Sequence, residues 1–395
     1  MQHFGGHDIV FECLNEPNGM GHDSAQVIAE LCRSAGKFFK ASGELFVGPA
    51  TSGMAWTYLQ EAMQHGILDA FGALSVHPYR GSPPDTVLAD WTELRALVRA
   101  HGVDREQRQM PLISGEWGYT TADSRCSYPN RCDERTQAAY LARMWLANTM
   151  AGVAISINYD WSDASHNASA CEDHFGSVRP VRQGQPIVPK PMYTAAVTLQ
   201  DTLGNFEQFD GRVQPMAISP NNISRRDLFV LRFRNRTSGV GFAVWTNGSF
   251  VQGQCSADHT STAPYDWRVN CGYSGIGEAE CVADTNPKGP GCCWEPCKKP
   301  GACPSGVPPG PQCYRIEVPV AVGEAHVSFN ATPAREGDCF AVTDMFGRAA
   351  SPMPEACVGA GAVLGVSVAV NGTGSGPVYL LPVPQDVVEL RDENR

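Results

Sequence analysis

Two glutamates each follow a short apolar run that has the composition of a β-strand. Glu16 lies in an Asn-Glu-Pro tripeptide after the run at 9–14, and Glu116 lies after the run at 111–114. Hydrolysis of a glycosidic bond needs one carboxyl group that protonates the leaving oxygen and a second that attacks the anomeric carbon. Parallel α/β sheets place their chemistry at the carboxyl ends of the strands. Glu16 and Glu116 therefore fit the two roles of this reaction.

The main alternative for Glu16 is structural. An Asn-Glu-Pro tripeptide also occurs where a helix begins, since the glutamate satisfies free amides and the proline starts the first turn. That explanation does not extend to Glu116, so the pair of glutamates at strand ends favours the catalytic interpretation.

Hydrophobic periodicity predicts the elements that must position the two glutamates. From residue 8 to about 203, short apolar runs alternate with longer segments of helical period, which is typical of parallel strands covered by helices. The predicted strands are 9–14, 45–48, 71–77, 111–114 and 153–159. The predicted helices are 23–41, 86–100, 135–150 and 191–203. The first of these helices has an apparent core face made of Val27, Ile28, Leu31, Ala35 and Phe38.

After residue 204 the sequence changes to alternating strands separated by Gly, Asn and Ser turns, which predicts an antiparallel β-sandwich. Residues 255–313 interrupt this pattern with eight Cys, nine Pro and eight Gly, and they hold too few aliphatic side chains to build a core. The expected domains are a partial barrel over 1–204, a sandwich over 205–254 and 314–384, a Cys-rich insert over 255–313 and a frayed tail over 385–395.

Charge and hydropathy limit the partners of the chain. Thirty Lys and Arg against 41 Asp and Glu give a net charge of −11 without any basic run, so we expect no nucleic-acid partner. No apolar stretch approaches the roughly 18 to 20 residues that a membrane span needs. The first residues lack the basic and then apolar layout of a signal peptide. The sequence does not predict an oligomeric state.

Cysteines and sequons indicate secretion. The chain has 15 cysteines, which implies disulfide bonds. Sequons for N-glycosylation begin at Asn167, Asn222, Asn235, Asn247, Asn330 and Asn371. We expect an extracellular or secretory-pathway protein whose true N-terminus, with its signal peptide, is missing from this sequence.

The order of the motifs at three predicted strand ends is specific. Asn15 and Glu16 come first, His77 and Tyr79 follow two strands later, and Glu116 ends the next strand. In this order the chain resembles the retaining glycoside hydrolases of clan A, and it is most similar to the cellulase-like members of families 5 and 39. The resemblance implies a (β/α)8 TIM barrel in which the acid/base, here Glu16, follows strand four and the nucleophile, here Glu116, ends strand seven.

The same resemblance implies a set of sugar contacts. Asn15 would hold the sugar 2-hydroxyl, His77 and Tyr79 would orient the nucleophile, and Trp161 would form the floor of a sugar subsite. Satisfied polar residues at the rim, for His77 and Tyr79, and ordinary packing, for Trp161, stay open as alternatives. We expect no cofactor and no metal, because the acidic and histidine residues at 172–174 have no defined coordination spacing.

The resemblance covers residues 8–204 and accounts only for strands four to eight of a barrel. About a dozen residues precede the Asn-Glu-Pro tripeptide, whereas a complete strand–helix unit takes roughly 30. We therefore predict an α/β fold with an open parallel arc of five strands, whose first strand is an unpaired edge with an apolar flank. The chain expressed alone is expected to be aggregation-prone and inactive, as the product of a truncated gene model.

Six cysteines of the insert follow an order that resembles the trefoil (P-type) domain. By that resemblance the disulfides are Cys255–Cys293, Cys271–Cys292 and Cys281–Cys313, and Cys297 and Cys303 suit a fourth bridge in an expanded last loop. Zinc is the alternative interpretation, but the insert lacks the usual spaced pairs of cysteines. An accessory sugar-binding module and a protease-resistant spacer both remain open as its role.

Seven cysteines lie outside the insert. The plausible bridges among them are Cys126–Cys132 and Cys339–Cys357. The remaining three are Cys13, Cys32 and Cys171. Partners lost upstream would explain this odd remainder, and buried free thiols at Cys13 and Cys32 are the alternative.

We therefore predict a secreted retaining glycoside hydrolase that cleaves O-glycosidic bonds of β-linked glycans by double displacement and is inactive in this truncated form. Its partner would be an oligosaccharide, a polysaccharide or a glycoconjugate. The main alternative is a non-catalytic extracellular glycan-binding protein that uses the sandwich and the trefoil module. A purely structural extracellular protein is a third, weaker alternative.

Overall fold

The structure is a computed structural model. In the N-terminal half it describes residues 9–19 and 24–204. In the C-terminal half it describes residues 206, 208–219, 228–235, 239–246, 250–252, 268–270, 293–297, 310–319, 323–332, 334–335, 337–349, 355–370 and 376–382. None of the helices in these ranges has the length and apolar character to cross a membrane.

A curled sheet of five parallel strands forms the N-terminal half, with the strands side by side in chain order. They are β1 (Val10–Glu12), β2 (Leu45–Ser52), β3 (Ala73–His77), β4 (Leu112–Trp117) and β5 (Ile155–Asn158). Every residue of the central strand β3 is buried, as expected for a parallel strand covered on both faces. Within the described residues, no strand pairs with the outer edge of β1 or of β5. The predicted open parallel arc of five strands is therefore confirmed.

In the described part of the chain, six α-helices accompany the strands, and the four predicted ones are found close to their expected bounds. They are α1 (Ala25–Ser42), α2 (Trp56–Gln64), α3 (Val87–His101), α4 (Arg105–Arg108), α5 (Glu134–Met150) and α6 (Pro191–Leu203). Helix α1 begins after Ser24, whose hydroxyl accepts a hydrogen bond from the amide of Val27. It ends at Gly43, which has φ +75° and closes the helix in the left-handed conformation.

The buried face of α1 is made mostly of small residues and shares only Ile28 with the predicted face. The buried residues of α1 are Ala25, Ile28, Ala29, Cys32 and Gly36. Val27, Leu31 and Phe38 are instead 48%, 49% and 59% exposed, so the prediction that they face the core is wrong. The reason is a close approach, since a Cβ on Gly36 would lie 2.6 Å from the carbonyl oxygen of Ala70.

Antiparallel strands form the C-terminal half. They are β6 (Gln208–Arg212), β7 (Pro215–Ser219), β8 (Leu228–Asn235), β9 (Gly239–Thr246), β10 (Phe250–Gln252), β11 (Arg268–Asn270), β12 (Cys293–Cys297), β13 (Gly310–Pro319), β14 (Gly323–Asn330), β15 (Cys339–Thr343), β16 (Glu355–Cys357), β17 (Val363–Val370) and β18 (Val378–Pro382). One sheet has the order β16-β15-β18-β9-β8-β6, and a second has the order β17-β14-β7. A third sheet has the order β10-β13-β11, with β12 also paired to β13.

The first two of these sheets share one hydrophobic core. Its buried side chains come from β8, β9, β15 and β18 on one side and from β14 and β17 on the other. The rings of Phe242 in β9 and Phe329 in β14, for example, have centroids 5.1 Å apart. Separate antiparallel sheets thus follow the parallel sheet, as the change in sequence pattern predicts.

The third sheet contains the described parts of the Cys-rich insert. Its strands β11, β12 and β13 are antiparallel and pair around β13. The disulfides expected for a trefoil domain depend on Cys255, Cys271, Cys281 and Cys292, which lie outside the described residues, as does the tail at 385–395.

Disulfides tie β15 to β16 and β1 to α1. Cys339 pairs with Cys357, as predicted. Cys13 pairs with Cys32, and their Cα atoms are 6.0 Å apart. Both expectations for these two residues, a lost partner and a free thiol, are therefore wrong. The small buried face of α1 turns Cys32 toward the end of β1, and this brings the two sulfurs together.

Cys126 pairs with Cys171, so the predicted Cys126–Cys132 bridge is wrong. Thr120 contacts both possible partners, because its hydroxyl donates to the carbonyl of Cys171 at 2.7 Å and its carbonyl accepts from the amide of Cys132 at 2.9 Å. Cys132 is left as a free thiol, and burial raises its pKa to about 12. It is therefore protonated and a poor nucleophile at neutral pH.

The buried carboxylate of Asp85 joins the parallel half to the antiparallel half. Asp85, in the short 3-10 helix Pro84–Thr86, accepts from the guanidinium of Arg143 in α5, and neither side chain is exposed. The second carboxylate oxygen of Asp85 accepts from the indole Nε1 of Trp245 in β9 at 2.6 Å. One carboxylate thus satisfies donors from both halves of the chain.

We expect Asp85→Asn to lower the free energy of unfolding by about 3 to 5 kcal/mol, because it removes the negative charge that faces the buried guanidinium of Arg143. Trp245→Phe keeps the ion pair and should cost less, about 1 to 3 kcal/mol. Urea denaturation measures both, with the exposed Asp201→Asn as the matched control. Equal stability of the Asp85 and Asp201 variants would contradict the role of this junction.

The exposed apolar face of α1 and the open edge of β1 predict self-association of the 395-residue chain. We expect the double variant Leu31→Lys with Phe38→Lys to reduce the apparent mass in light scattering without lowering stability. Thr92→Lys with Ala96→Lys, at exposed positions of α3, adds the same charge elsewhere and serves as the control. An equal effect of both double variants would assign the change to net charge alone.

Candidate active site

The turn that follows β1 holds Glu16. Its amide donates to the carbonyl of Ala50 at 2.9 Å, and its φ of +47° lies in the left-handed region. Asn18 fastens the same turn to β2, since its side chain donates to the carbonyl of Ser52 at 3.0 Å and accepts from the amide of Ser52 at 2.8 Å. Strained residues that the surroundings hold in this way are concentrated at functional sites.

Glu116 lies in β4, where the register against β5 shifts between Ser114 and Trp117. Such an irregularity changes the direction in which a side chain at the end of a strand points. The preceding residue, Gly115, leaves room for the side chains inside the arc, because a Cβ there would lie 2.4 Å from the hydroxyl of Ser75. Glycine at this position therefore permits the close arrangement around Glu116.

His77, the last residue of β3, lies between the two glutamates and is buried. Its Nδ1 is 3.0 Å from Oε1 of Glu16 and 3.7 Å from Oε2 of Glu116. One carboxylate oxygen of each glutamate and one ring nitrogen lie within 4.8 Å of one another. The structure thus brings together three residues that the sequence analysis selected, and the shorter contact of His77 is to Glu16.

Tyr79 binds the other oxygen of Glu116. Its hydroxyl donates to Oε1 of Glu116 at 2.5 Å, and its ring meets the ring edge of Phe175 with centroids 6.1 Å apart. Burial raises the pKa of Tyr79 well above its ordinary value, and the hydrogen bond and charge of Glu116 raise it further. The hydroxyl therefore stays protonated and remains a donor to Glu116 across the neutral pH range.

The other two selected residues are open to solvent. Asn15 is exposed beside Glu16. Trp161 follows β5, is 52% exposed, and meets Tyr193 with ring centroids 6.0 Å apart. Both are accessible to a ligand, and their roles in sugar binding remain predictions.

Two polar residues inside the arc are absent from the predicted site. Glu12, the last residue of β1, accepts a hydrogen bond from the hydroxyl of the buried Ser75 at 2.5 Å. Its other carboxylate oxygen lies 4.0 Å from Nε2 of His77. The available signal was a carboxylate inside an apolar strand, four residues before Glu16.

Three carboxylates around one imidazole make the site acidic. Within the described residues, no Lys or Arg nitrogen lies within 4.0 Å of Glu12, Glu16 or Glu116, and each of them contacts His77. Such a site favours a transition state that develops positive charge. The oxocarbenium-like transition state of glycoside hydrolysis has this property.

Glu16, His77 and Glu116 also offer ligand atoms close enough to hold a metal ion. Three protein ligands with an open position are the pattern of a catalytic zinc site. In the structure, however, Nδ1 of His77 contacts Glu16 and the hydroxyl of Tyr79 donates to Glu116. Contacts among the side chains themselves suit proton transfer between them better than ligation.

Comparison with known proteins gives a family for the insert and a fold for most of the chain. The trefoil (P-type) domain family matches residues 261–315. No curated protein matches the chain in sequence. Among solved structures, the chain is similar to a family 39 glycoside hydrolase from the gut symbiont Bacteroides cellulosilyticus WH2, with a TM-score of 0.52, 15% identity, and coverage of 94% of this chain and 57% of that chain.

A second similar structure is the family 51 arabinofuranosidase from Xanthomonas axonopodis pv. citri. The TM-score is 0.50 and the identity 12%, with coverage of 95% of this chain and 66% of that chain. The chain thus spans less than two thirds of the length of either protein. Over the part that it spans, its fold is similar to that of these family 39 and family 51 glycoside hydrolases, and its residues 261–315 match the trefoil (P-type) domain family.

Proposed function

We propose that this chain carries the catalytic carboxylates of a retaining glycoside hydrolase that acts on β-linked glycans by double displacement. The observation that supports it best is the separation of Glu16 and Glu116, whose nearest carboxylate oxygens lie within 4.8 Å. Retaining enzymes hold these two groups about 5 to 5.5 Å apart, whereas inverting enzymes leave about 6.5 to 9.5 Å for a water molecule.

The contacts support a different proposed role for each glutamate. The Tyr79 hydroxyl holds Oε1 of Glu116, which leaves Oε2 to attack the anomeric carbon. Glu16, beside Nδ1 of His77, protonates the leaving oxygen and then deprotonates the water that releases the sugar. Asn15, exposed beside Glu16, would bind the sugar 2-hydroxyl, and Trp161 would stack on a sugar ring.

Hydrolysis would require further strands that pair with the two edges of the arc. We call the chain with these strands added the closed form. Apolar side chains at those edges support this inference, since Val10 in β1 is 40% exposed and Ile155 and Ile157 in β5 are 37% and 51% exposed. Closure of a barrel covers such positions. The 395-residue chain alone is therefore expected to be inactive.

The remaining features fit an extracellular glycosidase. Disulfide bonds and a trefoil domain are typical of secreted proteins. The two antiparallel sheets that share a core would form a β-sandwich, with the trefoil domain inserted between two of its strands. The substrate would be an oligosaccharide, a polysaccharide or a glycoconjugate.

A glycan-binding protein without catalysis is the second candidate, and the trefoil match favours it. The two candidate functions predict different effects of the substitution Glu116→Gln. Loss of glycan turnover with unchanged glycan binding in Glu116→Gln supports the hydrolase, whereas binding without any turnover by the closed form supports the binding protein.

We expect Glu116→Gln to abolish the covalent glycosyl-enzyme in the closed, active form, because the amide cannot attack the anomeric carbon. Glu16→Gln should slow departure of poor leaving groups by about 100- to 10,000-fold and of good ones much less. A 2-fluoro glycoside followed by peptide mass mapping locates the covalent label. The exposed Glu61→Gln is the control. A label on any residue other than Glu116 would refute the assignment.

We expect Tyr79→Phe to lower kcat by about 10- to 100-fold, the value of one hydrogen bond to a charged group. The ring packing against Phe175 is kept, so the melting temperature should change little. Steady-state kinetics with an aryl glycoside measure the effect. A Tyr79→Phe enzyme with normal kcat would show that the tyrosine hydroxyl does not act on the nucleophile.

A further inference from the structure

The ring of His77 has one nitrogen that the proposed reaction leaves unexplained. Nδ1 faces Glu16 and Glu116, but Nε2 is buried and has no hydrogen-bond partner. The charged group in front of Nε2 is Glu12, whose Oε2 lies 4.0 Å away. A buried polar atom without a partner is uncommon and calls for a physical reason.

Glu12 is held in place against His77. The hydroxyl of Ser75, which is fully buried, donates to Oε1 of Glu12 and so directs Oε2 toward the ring. Gly115 keeps this space open, because a Cβ there would lie 3.1 Å from Oε1 of Glu12 and 3.3 Å from Cδ2 of His77. The position of the third carboxylate is thus built by residues of β1, β3 and β4.

We propose that Glu12 is a positioning residue that sets the tautomer of His77, with the proton on Nε2 and the lone pair on Nδ1. A neutral imidazole has one donor and one acceptor nitrogen. The negative charge of Glu12 attracts the N–H dipole and repels a lone pair at the same place. The carboxyl groups of Glu16 and Glu116 compete for the same ring proton at Nδ1, so the tautomer with the proton on Nε2 is favoured when Glu16 carries its own proton and donates it to Nδ1.

The consequence concerns Glu16, and this step rests on the proposed function. With its lone pair on Nδ1, His77 accepts a hydrogen bond from the protonated form of Glu16 at 3.0 Å. The protonated form is the one that gives its proton to the leaving oxygen in the first step. The opposite tautomer would donate to Glu16 and favour the carboxylate. Glu12 thus acts through His77 and not on the sugar.

Every charged or titratable group that faces the ring of His77 affects which of its two tautomers is favoured. Glu12 faces it from β1, Glu16 from the turn after β1, and Glu116 from β4, where Tyr79 binds the second oxygen. Of these groups, Glu12 alone faces Nε2. A substitution of Glu12 therefore changes the charge at Nε2 and leaves the groups that face Nδ1 unchanged.

Nuclear magnetic resonance tests the proposal without any need for hydrolysis. The 395-residue chain is labelled with ¹⁵N-histidine, and long-range ¹H–¹⁵N correlation at pH 7 distinguishes a protonated ring nitrogen from an unprotonated one. The signals that disappear in His77→Gln belong to His77. We expect a protonated Nε2 and an unprotonated Nδ1.

Substitution of Glu12 should change the tautomer. Glu12→Gln keeps the shape and the contact with Ser75 but removes the charge, and we expect the ratio of the two tautomers to shift toward Nδ1 by about tenfold. Ser75→Ala, which frees Glu12 from its hydrogen bond, should give a smaller shift in the same direction. Glu61→Gln, at an exposed position of α2, should give none.

Three results would overturn the proposal: a proton on Nδ1 in the unsubstituted chain, a doubly protonated ring at pH 7, or an unchanged tautomer ratio in Glu12→Gln. The outcome is independent of catalysis. If His77 responds as expected while the closed form hydrolyses no glycan, the proposed function is wrong and the tautomer assignment is supported. If the closed form hydrolyses glycans and the tautomer of His77 does not respond to Glu12→Gln, the proposed function is supported and the tautomer assignment is wrong.

Discussion

The curvature of the parallel sheet is the constraint on which the site depends. Glu16 follows β1 and Glu116 lies in β4, with two strands between them. In a flat sheet, neighbouring strands about 4.8 Å apart would separate these residues by about 14 Å. Their carboxylate oxygens lie within 4.8 Å instead. The sheet must therefore curve around an interior in which a side chain from β3 reaches both glutamates.

That interior is polar where the interior of a barrel is usually filled by branched apolar side chains. Ser75 and Glu12 lie on one side of the His77 ring, and Glu16 and Glu116 lie on the other. A network of this kind is favourable only if its members satisfy one another, since unpaired polar groups are costly in a medium of low dielectric constant. The contacts of Ser75 with Glu12 and of Glu16 with Nδ1 of His77 meet that requirement, whereas Nε2 of His77 does not.

The sequence predicted the parts of the fold that follow from local periodicity. The five strands, four helices and the meeting of Glu16 with Glu116 are recovered, because parallel strands are apolar runs and their carboxyl ends share one edge. The core face of α1 was missed because the spacing of large apolar residues does not reveal which face approaches a neighbour closely. Gly36 was the sign of that approach.

Contacts between residues distant in sequence were the least predictable. The disulfide between Cys126 and Cys171 joins residues 45 positions apart, and no spacing rule contains that information. The role of Ser75 beside Glu12 likewise depends on strands β1 and β3 facing each other across the curved sheet. Such pairs need the tertiary structure before they can be named.

The contact of Asp85 with Trp245 bears on how a protein of this design can be divided. The architecture changes near residue 204, which makes that point attractive for cutting the chain into modules. A fragment that ended there would lose the indole and would open the carboxylate and the paired Arg143 to water. The two halves therefore cannot be exchanged independently. Recombination near residue 204 would preserve the parallel half only when the incoming partner restores a donor for that carboxylate.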